Sequence, residues 1–212
     1  MKYKHIIWDY NGTLLNDASL CVEIINELLF ARNLPIISMQ KYKELFDFPV
    51  KDYYKRAGFD FKKESFEIVG TEFIKEYNIR QKKAELHKGA LELLSEIKLK
   101  QYKQYILSAR EEKSLIFELK SFNIFNYFEE VVGLNNHYAE SKVERGKQLI
   151  ANINVPKNEI LMIGDTKHDA DVAQEIGVNC ILISHGHQTK EKLQTVGVQV
   201  FENFDEVKNI IL

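Results

Sequence analysis

The run His5-Ile6-Ile7-Trp8-Asp9-Tyr10-Asn11-Gly12-Thr13-Leu14 is the stretch on which the fold turns. Its first four residues read as a short buried strand, and the Asn-Gly pair breaks it. Asp9 falls where strand gives way to turn. An unpaired carboxylate is costly beside Ile and Trp, so its presence at a strand end points to chemistry rather than packing.

Short runs rich in Ile, Val and Leu recur outward from this one, at about 4–8, 104–107, 130–133, 159–163, 179–183 and 198–201. Amphipathic helical segments separate most of them. Continuous apolar strands alternating with helices predict a doubly wound α/β fold with a parallel sheet covered on both faces. Asp17 is expected to cap a helix carrying Leu20, Ile24 and Leu28, and Gly177 to close one that begins near His168. Between about 17 and 85 the alternation fails: helical periodicity continues without a strand. That is too long for a single crossover. It predicts an inserted all-helical cap domain over 17–85, with the α/β core formed by 1–16 and 86–212. Phe46, Phe48, Tyr53, Tyr54, Phe59, Phe61 and Phe66 are expected to serve mainly as the insert's own core, with a minority lining a lid.

The chain has 212 residues, 45% hydrophobic and 28% charged, with 29 basic and 31 acidic side chains and a net charge of −2. This is ordinary globular composition. No basic stripe suggests nucleic-acid binding, and no apolar run is long enough to span a membrane. Cys21 and Cys180 lie far apart in separate apolar segments and read as reduced thiols, so a cytoplasmic location is expected.

Three predicted strands end in chemically specific residues: Asp9, Ser108, and the run Gly164-Asp165-Thr166-Lys167-His168-Asp169. Ligands of open parallel sheets bind beyond the carboxyl ends of the strands, so these groups can meet there. Asp9, Asp165 and Asp169 would then repel one another unless a cation intervenes. An oxygen-only set suits a hard ion, with Mg²⁺ the natural candidate. A carboxylate can also accept a phosphoryl group and split hydrolysis into two steps. Ser108 offers a hydroxyl, backbone N–H groups at Gly12 and Ala109 can face an oxyanion, and Lys142 or Lys147 can supply positive charge.

In order and spacing, Asp9-Tyr10-Asn11-Gly12-Thr13-Leu14, Ser108, Lys142 and Gly164 to Asp169 resemble the four motifs of the haloacid dehalogenase (HAD) superfamily. The insert resembles the small helical cap of its phosphoglycolate phosphatase-like branch. The resemblance spans essentially the whole chain. It implies a Mg²⁺-dependent phosphatase acting on a small phosphorylated substrate through an aspartyl-phosphate. Asp9 would be nucleophile and metal ligand, and Asn11 would give its backbone carbonyl to Mg²⁺. Ser108 would bind phosphoryl oxygens, and Lys142, preferred to Lys147 by its distance to Asp165, would neutralise Asp9 and the phosphate. Asp165 would bind the metal directly, and Asp169 directly or through water.

Asn11 departs from that pattern. The family's phosphatases usually carry a second Asp there, acting as general acid and then base, and an amide can do neither at neutral pH. General acid–base help is worth about 10²–10⁴ in rate. Four accounts follow: substrates with good leaving groups such as acyl or aryl phosphates; another donor such as His168, Tyr53 or Tyr54; a binding or regulatory protein that turns its phosphorylated ligand over poorly or not at all; or deamidation of Asn11. A metal-independent dehalogenase is the remaining enzyme reading, but it leaves Asp165 and Asp169 without purpose. Among weaker candidates, His185-Gly186-His187 reads as an edge loop, Arg110 as an exposed helix start or an anion contact, and Lys51, Lys55 and Arg56 as a solvated face.

Overall fold

The computed structural model describes residues 3–134 and 141–212. Six parallel strands form the main sheet: β1 (His5–Trp8), β4 (Lys103–Glu111), β5 (Glu130–Leu134), β6 (Ile160–Gly164), β7 (Asn179–Ile183) and β8 (Gln199–Phe201), in the order β5-β4-β1-β6-β7-β8. Each of the six strands expected from sequence is present. β1 lies between β4 and β6, with Trp8 level with Ile106 on one side and Ile163 on the other.

Alternation along β1 divides its apolar residues between two faces. Ile6 and Trp8 pack with α5 (Ala90–Leu99), α6 (Glu112–Ser121) and α10 (Phe204–Ile211) through Leu94, Leu115, Phe204 and Val207. Ile7 packs with α7 (Lys142–Ile153) and α8 (Lys167–Ile176) through Leu149, Val172 and Ile176. Covering both faces explains why these strands read as continuous apolar runs. A short helix, α9 (Lys190–Gln194), precedes β8.

Four α-helices lie between β1 and α5, forming the insert: α1 (Ala18–Ala31), α2 (Met39–Leu45), α3 (Val50–Ala57) and α4 (Phe66–Arg80). They enclose a separate apolar cluster that includes Ile24, Leu29, Tyr42, Tyr54, Val69 and Tyr77. Where the chain leaves and rejoins the sheet layer, β2 (Leu15–Asn16) pairs antiparallel with β3 (Glu85–Leu86). Two-residue strands carry no readable periodicity, so this clasp has no signature in the sequence.

Gly177 closes α8 in the left-handed conformation at φ 81°, as expected. Asp17 does not behave as expected. It occupies the N-cap position of α1 but makes no side-chain cap bond. Its carboxylate turns toward the strand ends, where stronger donors meet it. Cys21 and Cys180 are both free thiols. No described helix is long and apolar enough to cross a membrane.

Candidate active site

β1 ends at Trp8, and the Asp9 backbone N–H still donates to Ile163 O at 2.8 Å, so the nucleophile candidate is held by sheet register. The turn that follows is tight. Gly12 has φ +75°, and a Cβ there would collide with the Asp165 carboxylate and the His187 ring. Only glycine meets both demands. A Cβ at Gly164 would likewise collide with Asp169.

Asp9, Asp165 and Asp169 converge as anticipated. One oxygen from each lies within 4.8 Å of the others, and all three are buried. The Lys142 ammonium stands between two of them, 2.5 Å from Asp9 Oδ1 and 2.6 Å from Asp169 Oδ1. Lys142 opens α7 and is buried, whereas Lys147 is exposed. Five residues on a helix turn the side chain by roughly 140°, so both cannot face the strand ends. Thr13 Oγ1 lies 3.3 Å from Asp9 Oδ2 and 3.1 Å from Asp165 Oδ1. Asp169 is fixed by a reciprocal capping box at the start of α8: its Oδ2 accepts from Thr166 N at 3.0 Å and Thr166 Oγ1 at 2.7 Å.

Burial, reinforced by Asp169 and Asp165, outweighs Lys142 and lifts the Asp9 carboxyl to about 7. Burial also lifts Asp165, to about 6, against the pull of His187. Asp169 goes the other way: burial opposes ionisation, but Lys142 and Thr166 hold it below the usual carboxylate range. Lys142 is held above its ordinary value because Asp169 and Asp9 more than offset burial.

Two residues that the sequence reading set aside belong to this site. Asp17 Oδ1 accepts from Gly12 N at 2.9 Å and lies 3.2 Å from His187 Nε2. Its Oδ2 accepts from Asn11 Nδ2 at 2.8 Å and Tyr77 Oη at 2.7 Å. These four donors are why Asp17 abandons its capping role. Burial alone would raise its pKa, but the His187 charge and the hydrogen bonds bring it down to about 2. His187 is no edge-loop residue either. Its ring is buried between Asp17 and Tyr42, with Nδ1 2.9 Å from the Tyr42 hydroxyl, and its backbone N–H donates to Asp165 Oδ2 at 2.6 Å. Burial opposes its charge, yet Asp17 and Asp165 raise it to about 9, so it is a cation at neutral pH. Neither has a distinctive sequence signal: Asp17 sits where a helix cap is expected, and His187 lies in the polar run Ser184 to Lys190.

The arrangement therefore sets four buried carboxylates (Asp9, Asp17, Asp165, Asp169) against two buried cations (Lys142, His187). With all four carboxylates ionised the excess is two negative charges, and this together with the all-oxygen donor set of Asp9, Asp165 and Asp169 fits a hard divalent ion.

Asn11 faces Asp17 and also donates from Nδ2 to Tyr77 Oη at 2.8 Å. The Gly12 N–H, expected to meet an oxyanion, instead donates to Leu15 O at 2.9 Å and to Asp17, because the turn closes on itself. The same bonds oppose deamidation, which needs that nitrogen to attack the Asn11 side chain. Ser108 and Ala109 line the cavity above the carboxylates, and Ser108 Oγ accepts from Arg110 N at 3.2 Å. Arg110 is not an exposed helix start. It belongs to β4, pairs with Glu118 at 2.9 Å, donates to Gln81 and lies over the Tyr77 ring at 5.3 Å. The His168 ring stacks on Phe48, with centroids 4.5 Å apart. Tyr53 and Tyr54 line the cavity, and the Tyr53 hydroxyl is buried without a partner. Lys51, Lys55 and Arg56 are exposed.

The cavity over these groups has a volume of about 750 Å³ and is walled chiefly by rings from α2, α3, α4 and the α2–α3 connection. A parallel sheet with Asp9, Lys142 and the Asp165/Asp169 pair at its strand ends and a helical insert above them is the arrangement the sequence resemblance implies. The family described as haloacid dehalogenase-like hydrolase matches residues 6–183, and the chain belongs to it. Solved structures of similar fold include a predicted phosphatase from Clostridium acetobutylicum (TM-score 0.84, 18% identity, covering 100% of this chain and 99% of that one). A predicted phosphoglycolate phosphatase from Haemophilus somnus 129pt is similar at TM-score 0.82 and 19% identity, with 100% and 99% covered. The Mycobacterium tuberculosis protein tyrosine kinase A (PtkA) shares the fold at TM-score 0.83 and 21% identity, with 99% and 98% covered. No curated protein matches the sequence.

Proposed function

We propose that the protein is a Mg²⁺-dependent phosphatase of small phosphomonoesters, with residues 1–16 and 86–212 as its catalytic core and 17–85 as its cap. The observation that carries this reading is the Asp9 carboxylate paired with Lys142 and clustered with Asp165 and Asp169 at the floor of a ligand-sized cavity. Asp9, Asp165 and Asp169, with the Asn11 carbonyl, would hold the metal, which when bound supplies Lewis-acid stabilisation of phosphoryl charge.

The chain's own groups then divide the work. Lys142 favours the ionised form of Asp9, and its ammonium attracts the phosphoryl oxygens. An Asp9 oxygen attacks phosphorus, the bond to the ester oxygen breaks, and an aspartyl-phosphate forms. Water then releases phosphate and restores Asp9. Ser108, at the cavity wall, binds phosphoryl oxygen. Asp17 and His187 keep the turn in shape beneath the substrate. The free thiols Cys21 and Cys180 fit a reducing compartment such as the cytoplasm.

Phosphate release from a panel of phosphate esters tests this directly. Activity should require Mg²⁺ and disappear with chelation. Asp9→Asn should abolish turnover, by at least ~10⁴-fold, while phosphate-ligand binding persists. Tight ligand binding by the wild-type chain without any turnover would instead identify a binding protein on a weakened enzyme. Asn11, which supplies no proton, is the observation that favours this second reading.

A further inference from the structure

The cavity is larger and more apolar than a short anionic ester requires. Pockets of roughly 300–1,000 Å³ suit drug-sized ligands, and this one is about 750 Å³. Phe46, Phe48, Phe66, Phe73 and Ile74 supply much of its wall, with Thr71 and Asn78 of α4 among them, while its charged groups gather near the strand ends. A two- or three-carbon phosphate would reach Asp9 and leave most of that wall bare.

The charges point the same way. A phosphorylated carboxylic acid needs a second cation for its carboxylate. Among the described residues lining the cavity, the lysine and arginine side chains are Lys142 and Arg110. Lys142 is held between Asp9 and Asp169, and Arg110 is paired with Glu118 at 2.9 Å. The His187 ring is engaged by Asp17 at 3.2 Å.

Asn11 adds an independent constraint. Its amide cannot protonate a departing oxygen, and Nδ2 is committed to Asp17 and Tyr77. The leaving group must then depart without help. Aliphatic alkoxides do so poorly, whereas phenols lose their proton near pH 10, as tyrosine does.

We propose that the substrates are phosphate monoesters of bulky phenols, with the aryl ring against the aromatic wall and the phosphate at Asp9. The inference rests on the phosphatase reading above and narrows its substrate class. Asp9 attacks phosphorus, the phosphorus–oxygen bond to the phenol breaks, and the phenol oxygen leaves with the electron pair, taking its proton from solvent. Water cleaves the aspartyl-phosphate to inorganic phosphate and Asp9.

The test compares kcat/KM with Mg²⁺ for 2-naphthyl phosphate, phenyl phosphate, glycerol 3-phosphate, phosphoglycolate and acetyl phosphate. The aryl esters should exceed glycerol 3-phosphate and phosphoglycolate by about 10² or more, and 2-naphthyl phosphate should show a lower KM than phenyl phosphate. Phe73→Ala should reduce the ratio of 2-naphthyl to acetyl phosphate turnover by about tenfold. Ile74→Ala, at a position already 40% exposed and so safe for folding, should reduce it in the same direction. The proposal is overturned if phosphoglycolate or glycerol 3-phosphate matches the aryl esters, or if neither variant changes the ratio. Absence of phosphate release from every ester, acetyl phosphate included, overturns the phosphatase reading itself and this proposal with it.

Discussion

The strand ends and the helices above them surround the same cavity with opposite materials. β1, β6 and the start of α8 bring Asp9, Asp165 and Asp169 together and bury them, whereas α2, α3 and α4 present mainly aromatic rings. The first region tolerates its charge through fixed partners: Lys142, Thr13, Thr166 and the His187 backbone. The second has few polar groups to satisfy and is held by ring packing such as Tyr42 against Tyr53, with centroids 5.7 Å apart. Charge needs exact donors and so sits on sheet register and helix starts. Rings need only volume, and α-helices of an insert can supply it. Asp17 is where the two regions meet, because its carboxylate accepts from Gly12 below and from Tyr77 of α4 above.

The largest break in that contrast should come from the charged region. Lys142→Ala removes the cation between Asp9 and Asp169 and should lower kcat by about 10²–10³, read as phosphate release at saturating substrate. Asn11→Asp should act in the opposite direction. Its carboxylate would lie against Asp17, and one of two such neighbours retains a proton. Turnover of aliphatic phosphate esters should rise by about 10², with little gain for aryl esters; a fall for both would show that the amide has another role.

Asp17→Asn sharpens the comparison through stability. It leaves the His187 charge buried without its counter-ion and should cost about 3 kcal/mol in urea unfolding. Because Asp17 sits at about 2 in the fold, below its ordinary value of 3.8, its contribution is present above that ordinary value and lost as pH falls through 2. His187 is raised to about 9 from 6.5, so its share is complete below 6.5 and lost as pH rises through 9.

The smallest effect should appear beneath the turn, where His87 and His185 stack with centroids 3.6 Å apart. Burial lowers them to about 4 and about 3. Both are neutral in the fold, while the unfolded chain takes up protons below 6.5, so stability should decline as pH falls from 6.5 toward 4. His185→Asn should remove about 2 kcal/mol of the loss between pH 7 and 5. Melting curves at the two pH values that change equally in wild type and variant would contradict this.

Much of the charged region was legible because its signals are local. A strand's apolar run, the carboxylate at its end and a following glycine are neighbours in sequence, and a parallel sheet places such ends on one edge. The resemblance to the family's third motif favours Lys142 over Lys147, and the helix phase separates them: Lys142 is buried and Lys147 exposed. Asp17 and His187 are not legible for a common reason: each has a sufficient local reading, as a helix cap and as a loop residue, and their partners lie far away in the chain. Four donors outcompete one cap bond for Asp17, and those donors come from positions 11, 12, 77 and 187. No window of sequence contains them together.

By itself, then, the sequence determined the six-stranded α/β architecture, the helical insert and the acids at the strand ends, since these follow from periodicity and from residues adjacent in the chain. The missing proton donor at Asn11 was also visible there. Only the tertiary structure decided what surrounds that amide and what lies above it: the Asp17–His187 pair, the committed Gly12 N–H and an aromatic cavity whose lining cations are already paired. Those features depend on contacts across as many as 170 residues, and distance in the chain carries no record of which polar group will find which partner.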